Sequence, residues 1–386
     1  MIIEPAARTL SVQEYYFSKK NKEIARLNAG RGTPVINLGI GAPDGRPPQA
    51  AIETLCESAQ KSGVHAYQSY TGIPELRKAF AGWYDRWYGV ELDPAKEIQP
   101  LTGSKEGILI TSLAFLNKGD KVLVPDPGYP TYSSAARLCE AEIVYYDLVE
   151  SRGWQPDLEA LEASDLSGVK MMWTNYPNMP TGAPADPGLY EKLVDFGRRH
   201  GILICNDNPY SFILTENHYS ILSVPGAKDC CLELNSLSKA HNMAGWRLGM
   251  VASSADVIYE ILKVKSQLDS GIFRPLQLAA VEALAQGPEW FKELNAEYER
   301  RRVAAGKLFD ALGIKYNPAS QGLFLWGKVP EGVDPVALSD KLLHEAGVFI
   351  TPGFIFGHNG EKYMRVSLCA TVEKLGRALE KIKAVI

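Results

Sequence analysis

An excess of charge of either sign is missing from this sequence: 41 Lys and Arg against 45 Asp and Glu leave a net charge of −4 over 386 residues. That balance provides no electrostatic footprint for nucleic acid or for an anionic membrane surface. Cysteine is sparse. The six (Cys56, Cys139, Cys205, Cys230, Cys231 and Cys369) show no Cys-x-x-Cys spacing, and Cys230 and Cys231 are neighbours inside an apolar stretch. Neither a metal site nor a disulfide framework is expected, and the six read as small buried apolar side chains in a reducing compartment. Long apolar runs are missing too, none approaching the ~18 residues of a membrane span. The first ten residues, M-I-I-E-P-A-A-R-T-L, carry an acid and lack the apolar core of a secretory signal. What remains, 46% hydrophobic and 22% charged, is an ordinary globular composition, expected in the cytoplasm and long enough for about two domains.

From residue 120 onward, apolar runs alternate with amphipathic ones. K-V-L-V-P, E-I-V-Y-Y, V-K-M-M-W-T-N, I-L-I-C-N-D and C-C-L-E-L read as strands, and 131–139 and 187–200 as helices. Such alternation implies an α/β fold whose mostly parallel sheet is covered on both faces, with ligands gathering beyond the carboxyl ends of the strands. Chemically capable residues stand at those ends: Tyr129 in P-G-Y-P, Asn175 and Asn178 in N-Y-P-N-M-P-T-G, Asp207 and Tyr210 in D-N-P-Y, and Lys239 in S-L-S-K. Asp207 ends an apolar strand, where an unpaired carboxylate is costly; it either has a cationic partner or caps a turn. Lys239 stands where a strand gives way to a loop. A primary amine there sheds hydration and has its pKa lowered, as an imine-forming lysine requires. Ser236, Ser238 and Arg247 gather hydroxyls and a cation on the same loop, a set suited to phosphate. Gly103 and Ser104 open a helix running to about Leu116, whose free N–H groups and dipole suit an anion, and Lys105 adds a charge there.

The flanks are read the same way. Residues 11–29 have helical spacing up to Gly30, and V-I-N-L-G-I-G-A-P-D follows as a strand. Gly39 and Gly41 invite a dinucleotide-binding reading, but that motif's sixth position is Asp44, and Pro43, Pro47 and Pro48 break any helix, so the reading is rejected. Glycine at 41 instead allows a ligand close to the backbone. Tyr67 and Tyr70 lie in the loop before a helix that starts at Pro74 and carries Leu76, Phe80, Trp83 and Trp87 on one face; a phenol in such a loop is ordinarily a packing residue. Residues 256–266 and 276–312 are expected to be helical, with Arg274 in the break between them, either solvated or facing a distal carboxylate. From Tyr316 the pattern is that of a smaller α+β unit, with G-L-F-L-W and K-Y-M-R-V-S-L as strands and helices at 335–346 and 372–385. Arg365 sits inside the second of these strands among Met, Val and Leu. A guanidinium there requires an anion, whether a bound carboxylate or a structural acid.

The run S-x-S-K-x-x-x-M-x-G-x-R-x-G from Ser236 to Gly249, with D-x-x-Y at Asp207 to Tyr210, resembles the cofactor-attachment signature of the class I/II aminotransferases, aspartate aminotransferase-like enzymes of fold type I. The likeness extends from Gly41 to Arg365. It implies a large domain over 46–285, with a mostly parallel seven-stranded sheet between helices, and a small domain from 1–45 and 286–386. It also implies pyridoxal 5'-phosphate as cofactor: Lys239 carries it, Asp207 faces the ring nitrogen, Tyr210 and Asn178 the ring 3-oxygen, and Tyr129 the ring face. Gly103, Ser104, Lys105, Ser236, Ser238 and Arg247 would hold the phosphate, joined by Tyr67 from the neighbouring subunit of a homodimer. Gly41 and Arg365 would hold the substrate, with Lys105 and Arg274 for an acidic side chain. Where the family has asparagine directly before P-T-G this chain has Met179, so the role falls to Asn178, with Asn175 in reserve. The implied reaction moves an amino group from an L-amino acid, acidic and aspartate-like, to a 2-oxo acid such as 2-oxoglutarate. A lyase on the same fold is the alternative; a regulatory module is remote, since no DNA-binding extension precedes the core.

Overall fold

A computed structural model describes residues 3–386. Seven strands form the principal sheet in the order Ile98–Leu101, Gly249–Ala252, Cys231–Ser236, Leu203–Asp207, Val169–Thr174, Lys121–Asp126, Glu142–Asp147, all parallel except Gly249–Ala252. The central strands read as near-continuous apolar runs because both faces are covered. Val122, Val124, Met171, Trp173, Cys205, Leu232 and Leu234 turn to one side, against helices Ser104–Phe115, Pro130–Leu138 and Ala255–Lys265. Leu123, Met172, Ile204 and Cys231 turn to the other, where Pro74–Tyr88, Pro187–His200 and Arg274–Leu284 contribute Leu76, Phe80, Leu193, Val194 and Ala279.

A second, antiparallel sheet orders Thr351–Pro352, Tyr363–Ser367, Phe324–Lys328 and Lys315–Tyr316. Helices Pro288–Ala311 and Val372–Lys383 back it, with buried Phe309, Leu375, Ala378 and Ile382. The two-residue strand Ile36–Asn37 pairs with Val348–Phe349, and the Ser367 N–H then donates to the Leu38 carbonyl at 2.8 Å. This lays the Gly39 to Gly41 segment alongside the strand that carries Arg365. No helix of the described residues is long and apolar enough to cross a membrane.

Three expectations shift. The helix expected over 11–29 starts at Tyr16, because Tyr15 takes an extended ψ of 129° as its cap, and a short helix Ala7–Leu10 precedes it. The helix expected over 276–312 is two, Arg274–Leu284 and Pro288–Ala311: Pro288 cannot continue a helix but can open one, and Gly287 turns the chain between them. Arg274 therefore opens a helix instead of lying in a break.

Away from the site, Glu233 is fully buried in the strand Cys231–Ser236. Burial raises its pKa. It accepts hydrogen bonds from Tyr84 Oη (2.9 Å), Ser220 Oγ (2.8 Å), Asn206 Nδ2 (2.9 Å) and Ile221 N (3.1 Å), which oppose that rise and join the sheet to the helix Pro74–Tyr88. Glu233→Ala strands four donors and is expected to cost about 3 kcal/mol or more, with a lowered thermal midpoint. A midpoint within about 1 °C of wild type contradicts this.

Candidate active site

The carboxyl ends of Val169–Thr174, Leu203–Asp207 and Cys231–Ser236 open on a cavity of about 890 Å³, closed from the far side by Phe324, Arg365, Phe356 and the N-terminal helix. Parallel strands bring these ends to one edge. This is why residues 32 apart in the chain, Asp207 and Lys239, share one cavity.

Asp207 is buried, with Oδ2 accepting from Tyr132 Oη at 3.0 Å and Oδ1 bonded to nothing. Burial raises its pKa to about 7, and the Tyr132 bond and the Lys239 charge only partly offset this. An aspartate in that state lacks a cationic donor at Oδ1. Asn175 donates to the Asp207 carbonyl at 2.6 Å and fixes the strand end from below. Lys239 lies beyond the strand Cys231–Ser236, its Nζ donating to the Gly41 carbonyl at 2.5 Å. Burial lowers its pKa; Arg365 and Arg247 push the same way, while Cys369 and Asp207 oppose them. The neutral amine that a nucleophilic lysine needs is thus made more accessible.

Beside these two an anion cradle forms. The helix Ser104–Phe115 points its amino end at the cavity, and the N–H groups of Ser104 and Lys105 have no acceptor in the chain. Gly103 holds φ +82°, and a side chain there would collide with the Arg247 guanidinium, so glycine is required for Arg247 to pack against the cradle. Ser236 Oγ caps the turn at Ser238 N (3.1 Å) and bonds Ser238 Oγ (2.8 Å), keeping both hydroxyls at the rim. Free N–H groups, a helix dipole, two hydroxyls and a guanidinium make a phosphate site.

Arg365 occupies the opposite wall. It is buried, donates from Nη2 to the Gly39 carbonyl at 2.7 Å, lies 3.8 Å from the Phe324 ring, 4.5 Å from Phe356 and 5.4 Å from Phe17, and leaves Nε unpaired. No carboxylate of the described residues pairs with it, which excludes the structural salt bridge and leaves a buried cation open to a bound carboxylate. Burial lowers its pKa to about 10. Gly41 lies under the Phe324 ring, where any Cβ would strike it.

Ser104, Lys105, Tyr129, Asp207, Tyr210, Ser236, Ser238, Lys239, Arg247, Gly41 and Arg365 all line this one cavity, and Gly103 supports it from behind. Three expected residues do not. Asn178 turns away: its Nδ2 donates to the Asn175 carbonyl (3.0 Å) and its Oδ1 accepts from Thr181 Oγ1 (2.7 Å), so the loop itself uses the side chain. Asn175 and Met179 face the cavity in its place. Arg274 pairs with Glu75 at 3.4 Å on the surface, and Tyr67 is 90% exposed, both outside this chain's own cavity. Sequence reasoning missed Tyr132, Tyr15, Phe17 and Phe356. Tyr132 carried a signal, since Pro130 at a helix start aims the first turn, and Tyr132 with it, back at the strand ends.

These features fit pyridoxal 5'-phosphate: the cradle suits its phosphate, the unpaired Asp207 Oδ1 its protonated ring nitrogen, and Lys239 its carbonyl carbon. Without a cation at Oδ1, Asp207 binds a proton more readily folded than unfolded, so the cofactor-free chain loses stability as pH rises from 3.8 toward about 7. Asp207→Asn is expected to flatten that fall. Thermal midpoints of cofactor-stripped wild type and variant across this range test it, and identical slopes contradict it.

A family model for aminotransferases of class I and II matches residues 33–382. An LL-diaminopimelate aminotransferase of Moorella thermoacetica is 38% identical over 386 residues, covering 100% of this chain and 99% of that protein. The apo structure of BacF from Bacillus subtilis superposes with a TM-score of 0.96 at 32% identity, covering 100% of this chain and 98% of that one. A single mutant of Thermus thermophilus aspartate aminotransferase superposes with a TM-score of 0.91 at 27% identity over the full length of both. With the lysine, aspartate, cradle and buried arginine in one cavity, the chain belongs to the class I/II aminotransferases, the pyridoxal 5'-phosphate-dependent transaminases of fold type I.

Proposed function

We propose that this enzyme transfers the amino group of a long dicarboxylic amino acid of the diaminopimelate class to 2-oxoglutarate, in the cytoplasm. One observation carries the reading: besides Lys239 and Arg247, which stand on the cofactor side, the cavity holds two further cations without carboxylate partners, Arg365 on one wall and Lys105 on another, the latter with Nζ 4.5 Å from the Tyr15 ring. A donor with a carboxylate at each end satisfies both. Lys105 thus supplies the distal charge within the chain, whereas Arg274 is engaged with Glu75 outside the cavity, which removes half of the basis for an aspartate-like donor. The name of the Moorella thermoacetica relative supports the longer substrate.

Bound pyridoxal 5'-phosphate supplies the electrophilic carbon and the electron sink. The chain does the rest. Arg365 clamps the donor's α-carboxylate and so turns the Cα–H bond toward Lys239. Lys239, its basicity lowered by burial, takes the proton from the α-carbon. Asp207 holds positive charge at the cavity floor, and Phe17, Phe324 and Phe356 exclude water from the α-carboxylate. Asn175 lines the cavity where Asn178 was expected, with Oδ1 accepting from Met179 N at 2.8 Å and Nδ2 donating to the Asp207 carbonyl at 2.6 Å. A homodimer accounts for Tyr67, exposed on a loop that serves no cavity of its own chain; a solution mass near twice 42.4 kDa checks this.

The aromatic wall of Tyr15, Phe17, Tyr129 and Phe356 favours one second reading, an aromatic donor. A donor panel with 2-oxoglutarate decides between them. LL-diaminopimelate is expected to exceed aspartate and phenylalanine in kcat/KM, and Lys105→Ala to lower its kcat/KM by about tenfold or more while sparing alanine. Leadership by phenylalanine establishes the second reading; an unchanged preference in Lys105→Ala removes Lys105 from distal recognition.

A further inference from the structure

The loop after the strand Val169–Thr174 turns Met179 into the cavity, where it is buried and its Sδ accepts from Arg365 Nη1 at 3.2 Å. Both asparagines of the same loop are engaged elsewhere. Asn178 closes the loop through Thr181 and the Asn175 carbonyl, while Asn175 places Oδ1 on Met179 N and Nδ2 on the Asp207 carbonyl. A thioether accepts weakly and donates nothing. This part of the wall therefore presents no side-chain amide that the chain itself does not already use.

That matters because of what pyridoxal 5'-phosphate brings there. On its ring the 3-oxygen and the phosphate arm flank the carbonyl-bearing carbon on opposite sides. With the ring nitrogen at Asp207, that carbon at Lys239 and the phosphate in the cradle of Ser104, Ser236 and Arg247, the 3-oxygen falls on the side away from the cradle, toward Arg365. Tyr210 and Met179 line that side: the Tyr210 ring lies 6.2 Å from Phe324, which in turn stacks on Arg365 at 3.8 Å. Tyr210 Oη bonds to no other group of the described residues and is free to donate.

We infer that Met179 withholds a second donor from the ring 3-oxygen, leaving Tyr210 as its donor on this wall, and so keeps the nitrogen that joins Lys239 to the cofactor protonated at neutral pH. The 3-oxygen is anionic and lies beside that nitrogen. Each hydrogen bond it accepts draws off negative charge that otherwise holds the proton, so one donor fewer raises the nitrogen's pKa. The protonated form is the one that an incoming amine attacks. The inference depends on the cofactor at Lys239 and not on which amino donor is physiological.

Absorbance of the Lys239-bound cofactor reports this proton without turnover, because the protonated and neutral forms absorb at different wavelengths. Wild type, Met179→Leu, Met179→Asn and Met179→Gln are titrated as holoenzymes. Asparagine sets its oxygen and nitrogen at the δ position that Sδ holds, so one can keep the Arg365 bond while the other donates to the ring. Its midpoint is expected about one unit or more below that of wild type, which itself lies above neutrality. Met179→Gln, an amide of methionine's own length, is expected to fall in the same sense, and Met179→Leu, apolar and of similar volume, to stay with wild type. Asp207, Tyr210, Arg247, Arg365 and Cys369 act on that nitrogen, as do Lys105, Tyr15, Tyr129 and Tyr132 around the cavity; all are common to the four proteins, so the difference belongs to residue 179. A wild-type midpoint below neutrality, amide variants that titrate with wild type, or an equal fall in Met179→Leu overturns the inference.

Discussion

A buried carboxylate with one oxygen left unpaired organises this protein. Asp207 sits at the end of a strand whose neighbours exclude water, and the chain offers it one hydroxyl, from Tyr132, and no cation at Oδ1. Burial without a counter-charge is unfavourable to the ionised form and raises its pKa to about 7. The arrangement becomes favourable only when a positive donor meets Oδ1, so the affinity of the site for a protonated ring nitrogen is stored in the fold. Tyr132 fixes the carboxylate from the helix side and Asn175 fixes its backbone from the neighbouring strand.

Arg365 mirrors that situation with the opposite sign. Its guanidinium is packed among Phe17, Phe324 and Phe356 and bonded to the Gly39 carbonyl, yet lacks a carboxylate. Between a half-satisfied anion and an unpaired cation stands Lys239, whose amine is biased toward neutrality by the same burial. One principle thus sets all three groups: each is desolvated by the fold and left for a ligand to complete.

Much of this was legible in the sequence because parallel strands deliver their carboxyl ends to one edge. Asp207, Tyr210, Ser236 and Lys239 each follow an apolar run, and that pattern alone was enough to gather them. What the sequence could not show is the use a side chain makes of its bonds. Asn178 stands closest to the family's position but closes its own loop through Thr181 and Asn175, and the residue beside Asp207 is Asn175. The aromatic wall was equally hidden: Phe17 and Phe356 lie far apart in the chain, and no local period marks a residue that meets a ligand only after two sheets come together. Tyr67 and Arg274 fall outside this chain's cavity, the first exposed on its loop and the second paired with Glu75, and no local pattern marks which loop side chains turn inward.

The pairing of Asp207 with a protonated ring nitrogen is most directly read by nitrogen NMR of the holoenzyme reconstituted with cofactor labelled at that atom. The ring nitrogen is expected to keep the chemical shift of the protonated form up to about pH 9 in the wild type and to lose it in Asp207→Ala. A wild-type signal that titrates through neutrality, or one unaffected by Asp207→Ala, contradicts the account.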